Sequence, residues 1–301
     1  MTLSRAEERV ALPWPLAQAR GWPLRLPWLA LFCGSVLLAF VLVGVLAPWL
    51  APHDPMAQNL VERLRPPVWQ AGGGREHLLG TDGLGRDVLS RLVHGARISL
   101  TVVGIAVPLS ATLGACLGLL AGYRGGLLAA MAMRAADIQL ALPAVLVAVL
   151  LAGLMGPSLR NVLIIIVAFG WPSYARVVRG EVLSLRERDF VTAARVLGAS
   201  DGHIMWRHLL PNFVNSVVVL ATIQVAAVVL IEAALSFLGV GVPIGTPSWG
   251  MMVAEGRDYI RIAWWLVTFP GLAIALVCLM ANLLGDWLRD WIDPRLRHAR
   301  R

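Results

Sequence analysis

Residues 28–50 read WLALFCGSVLLAFVLVGVLAPWL, and this run decides the fold class. It contains no charged residue. An α-helix needs roughly 20 mainly apolar residues to cross the hydrocarbon core of a bilayer, and this run supplies them. Arg5, Arg9, Arg20 and Arg25 precede it. A cleaved signal peptide has a shorter apolar region followed by a small-residue cleavage site, so the run is expected to persist as a first membrane helix. Working outward, five more such runs follow: about Ile98 to Ala121, Ala135 to Met155, Val162 to Val178, Phe213 to Val240 and Ile262 to Leu284.

The expected fold is all-α and integral to the membrane, with six transmembrane helices. The chain divides into an N-terminal segment 1–27, the first span 28–50, a Pro- and Gly-rich outer loop 51–96, a core 97–285 and a tail 286–301. Composition agrees. Hydrophobic residues make up 58% and charged residues 15%, against roughly a quarter charged in a soluble domain. Six spans place both termini on one side. Arginines crowd the N-terminal segment, 176–207 and the tail, so the termini are expected in the cytoplasm.

Every basic residue is arginine. Without a lysine the chain has no P-loop, so any ATP and Mg²⁺ belong to a partner and no cofactor is expected here. The formal net charge of +8 suggests nucleic acid at first sight. Arginines beside membrane spans, touching lipid head groups, explain it better, and no nucleic-acid partner is expected. Cys33, Cys116 and Cys278 each lie in an apolar run and read as packing residues. The six histidines are dispersed, so no metal site is expected. No catalytic set of nucleophile and base stands out either.

The most informative loop is 181–211, EVLSLRERDFVTAARVLGASDGHIMWRHLLP. Phe190, Ala193, Ala194 and Leu197 fall at i, i+3, i+4 and i+7, an apolar stripe on one face of a short helix. Gly198 is placed to end that helix, and Ser200 or Asp201 to cap a second one. The second carries Ile204, Met205, Leu209 and Leu210, with Pro211 before the next span. Pattern alone leaves two readings: a docking element for a partner's groove, or a helix lying on the membrane surface.

Ala193-Ala194, Gly198, Ile204 and Leu210-Pro211 resemble the E-A-A-x3-G-x9-I-x-L-P signature of bacterial ABC importer permeases. Thr192 stands where the signature has glutamate, and the Ile-to-Leu-Pro spacing departs from the consensus. Residues 77–87, His-Leu-Leu-Gly-Thr-Asp-Gly-Leu-Gly-Arg-Asp, resemble the H-x-x-G-T-D-x-x-G-R-D block of the dipeptide/oligopeptide/nickel subfamily. Glu232 to Gly239, Pro247-Ser248-Trp249-Gly250 and Asn282 to Asp290 match the same subfamily. The resemblance implies a permease subunit of a binding-protein-dependent importer of peptides or similar solutes. It implies four kinds of partner: a second similar permease, two ATP-binding subunits, an extracytoplasmic solute-binding protein and membrane lipid. It also implies that 190–210 couples to the ATPase.

In the outer block, Gly80, Gly83 and Gly85 permit tight turns, while Asp82, Arg86 and Asp87 can pair locally. Together with Thr81 they are expected to form a structural cap. Glu232 lies at membrane depth, either as a pathway or gate residue or as the partner of a polar group on a neighbouring helix. Asp137 and Arg134, near the end of span three, reach the interface or pair with the 181–211 loop. Gly114, Gly118 and Gly122 suit close helix contact, within the chain or across a dimer seam.

Overall fold

The computed structural model describes residues 27–243 and 245–292. The N-terminal arginines and most of the arginine-rich tail lie outside the described residues. Among the described residues the regular structure is helical, apart from one isolated bridge between Thr81 and Asp87.

Helix α1 spans Pro27–Val45, and a single turn, α2, Ala47–Leu50, continues it. A 3₁₀ turn at Leu60–Glu62 lies in the segment before the longest helix, α3, Val88–Tyr123. Then come α4, Gly126–Ala141; α5, Ala144–Met155; and α6, Leu159–Leu185. Two short pieces, α7, Asp189–Val196, and α8, Asp201–His203, precede α9, Leu210–Phe237. The chain ends with α10, Trp249–Gly256, and α11, Trp265–Ile292.

Helix α3 starts ten residues before the expected span, because the Asp87 side chain accepts from the backbone N–H of Ser90 and caps it. Its 36 residues reach about 54 Å, well beyond a bilayer core. The first turns therefore project into the segment 51–87, here called the cap end. The other end carries 186–209, the loop end.

The third expected span is not one helix. Its halves, α4 and α5, meet at a bend of 96°. Pro143 excludes the α conformation from the residue before it, and Leu142 is extended at φ −89°, ψ 144°. Among the described residues five helices are long and apolar enough to cross a membrane, and the bent pair, taken as one span, makes a sixth. Packing between α3 and α6 says why the pair is needed. Gly114 meets Trp171 and Tyr174, Gly118 meets Ala175 and Val178, and Gly122 meets Arg179 and Val182. The contact positions rise together, so α3 and α6 run parallel. Only α4 and α5 lie between them to return the chain. The glycine stripe thus packs inside the chain.

Helices α9 and α11 are antiparallel: Cys278 sits by Ala226 and Gly285 by Thr222. The stretch 241–262, read from sequence as an extramembrane loop, holds the buried helix α10, capped by Ser248. Trp265, the first residue of α11, is 2% exposed and donates Nε1–H to the carbonyl of Thr81. Cys33 and Cys278 are buried as expected, but Cys116 is exposed on α3. Helix α11 continues past residue 285 into the expected tail.

Candidate functional site

At the loop end, α7 is amphipathic on both sides, and the fold chooses the inner one. Val191, fully buried, and Ala194 point into a cluster with Leu119, Tyr123, Val178, Val182, Ile204, Leu209 and Phe213. Full burial of one valine contributes about 1.5–3 kcal/mol, enough to seat a helix of two turns. The sequence stripe is therefore split. Ala194 faces inward, while Phe190, Ala193 and Leu197 face outward beside Val196. Leu197 is 86% exposed and Val196 82%. Val191, the anchor, is absent from the sequence-based stripe. Thr192 lies on the exposed side, so a glutamate there would also point away from the chain.

Gly198 ends α7 as its spacing predicts, with φ at +81°. The N–H of Ala199 bonds the carbonyl of Ala194 and that of Gly198 the carbonyl of Arg195, both at 3.0 Å, a complete Schellman closure. Of the two candidate caps, Ser200 is the one used; its Oγ accepts from the N–H of His203.

The second helix does not stop before the next span. Residues Ile204–Leu209 form a π-helical turn that runs directly into α9. The cause is Pro211, whose ring would clash with a carbonyl in an ordinary α turn and which has no N–H to donate. Leu210 bonds back to Met205, and the Asn212 side chain donates to the carbonyl of His208 at 2.6 Å. Ile204 is fully buried, Leu210 half-buried and Pro211 exposed.

Two polar contacts fasten the loop to α3. The Tyr123 hydroxyl donates to Asp201 at 2.9 Å, and Arg186 Nη1 donates to the carbonyl of Gly122 at 2.9 Å. The Arg195 guanidinium lies over the Tyr123 ring. The loop is thus a rigid shelf on the ends of α3, α6 and α9, with an apolar edge of Phe190, Val196 and Leu197 turned outward.

At the cap end the block 80–87 folds back on itself. Gly80 and Gly85 have φ of +82° and +73°, and a Cβ on either would strike backbone, that of Arg65 and of Asn59. Gly83 is the second residue of the turn closed by the Gly85 N–H on the Asp82 carbonyl, and its missing Cβ also leaves room for the ring of Tyr259, 3.1 Å from where that atom would stand. The Thr81 hydroxyl donates to the carbonyl of Glu62. Asp82 receives Arg86 Nε at 2.7 Å and also contacts Arg91. Both guanidinium groups reach Glu255 of α10, at 2.7 and 2.6 Å. Two cations and two carboxylates therefore balance in a nearly dry site, where Arg91 is 1% exposed. Arg91 and Glu255 were not foreseen from sequence, since 164 residues separate them.

Asp87 does not join this network. It caps α3 and faces His77, whose Nδ1 lies 2.9 Å from Asp87 Oδ1 and whose Nε2 lies 2.9 Å from Glu62 Oε2. Burial opposes charge on His77, but the hydrogen bonds to Asp87 and Glu62 outweigh it. The imidazole therefore holds its proton to higher pH than a free histidine.

Glu232 is 1% exposed on α9 and is held by hydroxyls: Ser236 Oγ at 2.8 Å and Ser99 Oγ of α3 at 3.3 Å. Asp137 pairs with Arg176 of α6 at 2.8 Å, not with the 181–211 loop. Both side chains of that pair are more than half exposed.

Comparison with known proteins gives a consistent result. Residues 114–298 match the family model described as binding-protein-dependent transport system inner membrane component. Residues 24–67 match the N-terminal TM domain of oligopeptide transport permease C. The chain is 46% identical over 263 residues to the di/tripeptide transport system permease protein DppC of Pseudomonas aeruginosa, covering 87% of each. It is 46% identical over 265 residues to the dipeptide transport system permease protein DppC of Escherichia coli K12, covering 88% of each. The corresponding protein of Haemophilus influenzae is 41% identical over 261 residues, covering 87% of this chain and 88% of its own.

Proposed function

The chain belongs to the binding-protein-dependent transport system inner membrane component family, and from that membership we propose that it is one of two permease subunits of an ATP-driven importer of dipeptides or similar short peptides. It lies in the bacterial inner membrane with both termini in the cytoplasm. Hydrolysis of ATP with Mg²⁺ belongs to two partner subunits, and a solute-binding protein delivers cargo at the cap end. The mechanism is alternating access, in which closure of the ATPases pushes on residues 189–209.

One observation carries the reading: the outward apolar edge of α7. Leu197 and Val196 are almost fully exposed on a helix whose other face is locked into the chain. A docking helix of this kind presents hydrophobic knobs on a support that cannot yield. Because the shelf continues through the π turn into α9 and bonds to the end of α3, a push on it moves whole spans. The Asp137–Arg176 pair supports the same reading. Exposed charge at membrane depth belongs against protein or water, not lipid. The α4–α6 flank that carries it is therefore the face toward the second permease and the path.

The test is co-purification of the untagged chain with its ATPase in detergent, comparing wild type with the double variant Val196→Glu, Leu197→Glu. Both positions are exposed, so the fold is expected to survive with an unchanged melting temperature while the ATPase is lost. Full retention of the ATPase would sink the docking reading and leave α7 as a helix on the membrane surface.

A further inference from the structure

Two of the six histidines meet at the cap end. His53 follows α2, His77 precedes the 80–87 block, and Asp87 caps α3. One donor atom from each lies within 4.8 Å of the others. His77 Nδ1 is 2.9 Å from Asp87 Oδ1, and His53 Nδ1 is 3.9 Å from Asp87 Oδ2. The two imidazole rings are 4.8 Å apart between centroids.

We propose that His53, His77 and Asp87 bind a divalent transition-metal ion of the zinc class, with Glu62 as the residue that orients His77. Zn²⁺ bonds of about 2.0–2.1 Å in a tetrahedron put neighbouring donors roughly 3.4 Å apart; His77 Nδ1 and Asp87 Oδ1 are 2.9 Å apart, and all three donor atoms lie within 4.8 Å of one another. Small side-chain shifts suffice. Two imidazoles and one carboxylate suit zinc and its neighbours, not Mg²⁺ or Ca²⁺, which prefer all-oxygen sets.

Three further features make this a built site. Glu62 Oε2 sits 2.9 Å from His77 Nε2, the ring nitrogen left over when Nδ1 ligates. A carboxylate behind a ligating histidine fixes its tautomer and strengthens it as a donor. Asp87 is also held in place: both the N–H and the hydroxyl of Ser90 donate to its Oδ2 at 2.7 Å, so Oδ1, which faces His77 Nδ1, is the oxygen that takes the metal in place of the ring proton between them. The N–H of His53 donates in turn to the Ser90 hydroxyl at 3.0 Å, which fixes the backbone of the third ligand. Finally, the site opens to solvent. His53 is 40% exposed and borders a pocket of about 290 Å³ that it shares with Asp54, Asn59, Glu62, His77 and Asp87. A metal can enter there, and a water can take the fourth position.

A bound ion would join the end of α2, the loop at 77 and the start of α3 in one clasp. The test uses the full-length chain in detergent with its tag removed, stripped by a chelator and titrated with Zn²⁺ alone by calorimetry. Co²⁺ in place of Zn²⁺ reports geometry through its visible absorption. One ion per chain is expected, with a tetrahedral cobalt spectrum. His53→Ala, at an exposed position, keeps the melting temperature of the metal-free chain but loses the cobalt spectrum. Glu62→Gln is expected to weaken zinc roughly 10–100-fold. A wild-type chain that takes up no zinc overturns the proposal. So does a His53→Ala variant that binds as tightly as wild type.

Discussion

The Tyr123 hydroxyl donates to the Asp201 carboxylate across 2.9 Å, joining the last residue of the longest helix to the short shelf that precedes α9. A hydrogen bond of this kind contributes about 1 kcal/mol net. Tyr123→Phe is therefore expected to leave the bundle folded and loosen the shelf alone. Hydrogen exchange of the amides at 189–203 reads this out. Faster exchange there, with the spans unchanged, is the expected result; identical exchange in both proteins would show that the bond fixes nothing.

A second prediction concerns the α3–α6 seam. A Cβ on Gly118 would lie 2.5 Å from the carbonyl oxygen of Ala175, which is backbone and cannot move aside. Gly118→Ala should cost roughly 1–3 kcal/mol through overpacking. Gly104, on the same helix, has nothing within 4 Å of its missing Cβ. Gly104→Ala should be neutral or stabilising, since alanine is the better helix former. Equal melting temperatures for the two variants would refute the account of the seam.

Gly198 isolates a backbone effect. Its φ is +81°, yet no atom lies within 4 Å of where a Cβ would stand. Gly198→Ala should cost about 1–2 kcal/mol from the left-handed conformation alone. Gly198→Asn should cost less, because asparagine tolerates that region. Thermal unfolding of the two variants decides it, and a stable alanine variant would count against a strained closure.

The charged network at the cap end supplies the largest expected effect. Glu255→Ala removes the anion that both Arg86 and Arg91 reach. Two guanidinium groups, both nearly buried, are then left facing Asp82 alone. Loss of one partner from such a buried pair costs about 3–5 kcal/mol. Tryptophan fluorescence melts suit the measurement, because Trp249 and Trp265 are buried at this end of the bundle. A shift no greater than that of an exposed substitution would show the network to be dispensable.

Local sequence found five of the spans and the break at Gly198 and narrowed the next cap to Ser200 or Asp201, because each depends on neighbours in the chain. It could not find the bend at Pro143. Pro108, Pro172 and Pro270 lie inside α3, α6 and α11, which continue through them, so proline in an apolar run does not announce a break. What distinguishes Pro143 is the extended conformation of Leu142, a tertiary outcome. The inner face of α7 was equally hidden. In an eight-residue helix with apolar residues all round, period cannot say whether Val191 or Leu197 goes inside. Partners such as Arg91 with Glu255, or His53 with His77 and Asp87, meet only through the folding of distant segments.

The glycine seam has a last consequence. Where α3 and α6 touch main chain to main chain along three successive turns, sliding one past the other by even an ångström brings carbonyls into collision. Four charges clamp the cap end of α3 to α10. On the proposed pairing with a second permease, the chain acts as one stiff lever, and the travel is taken up at the fulcrum between the two.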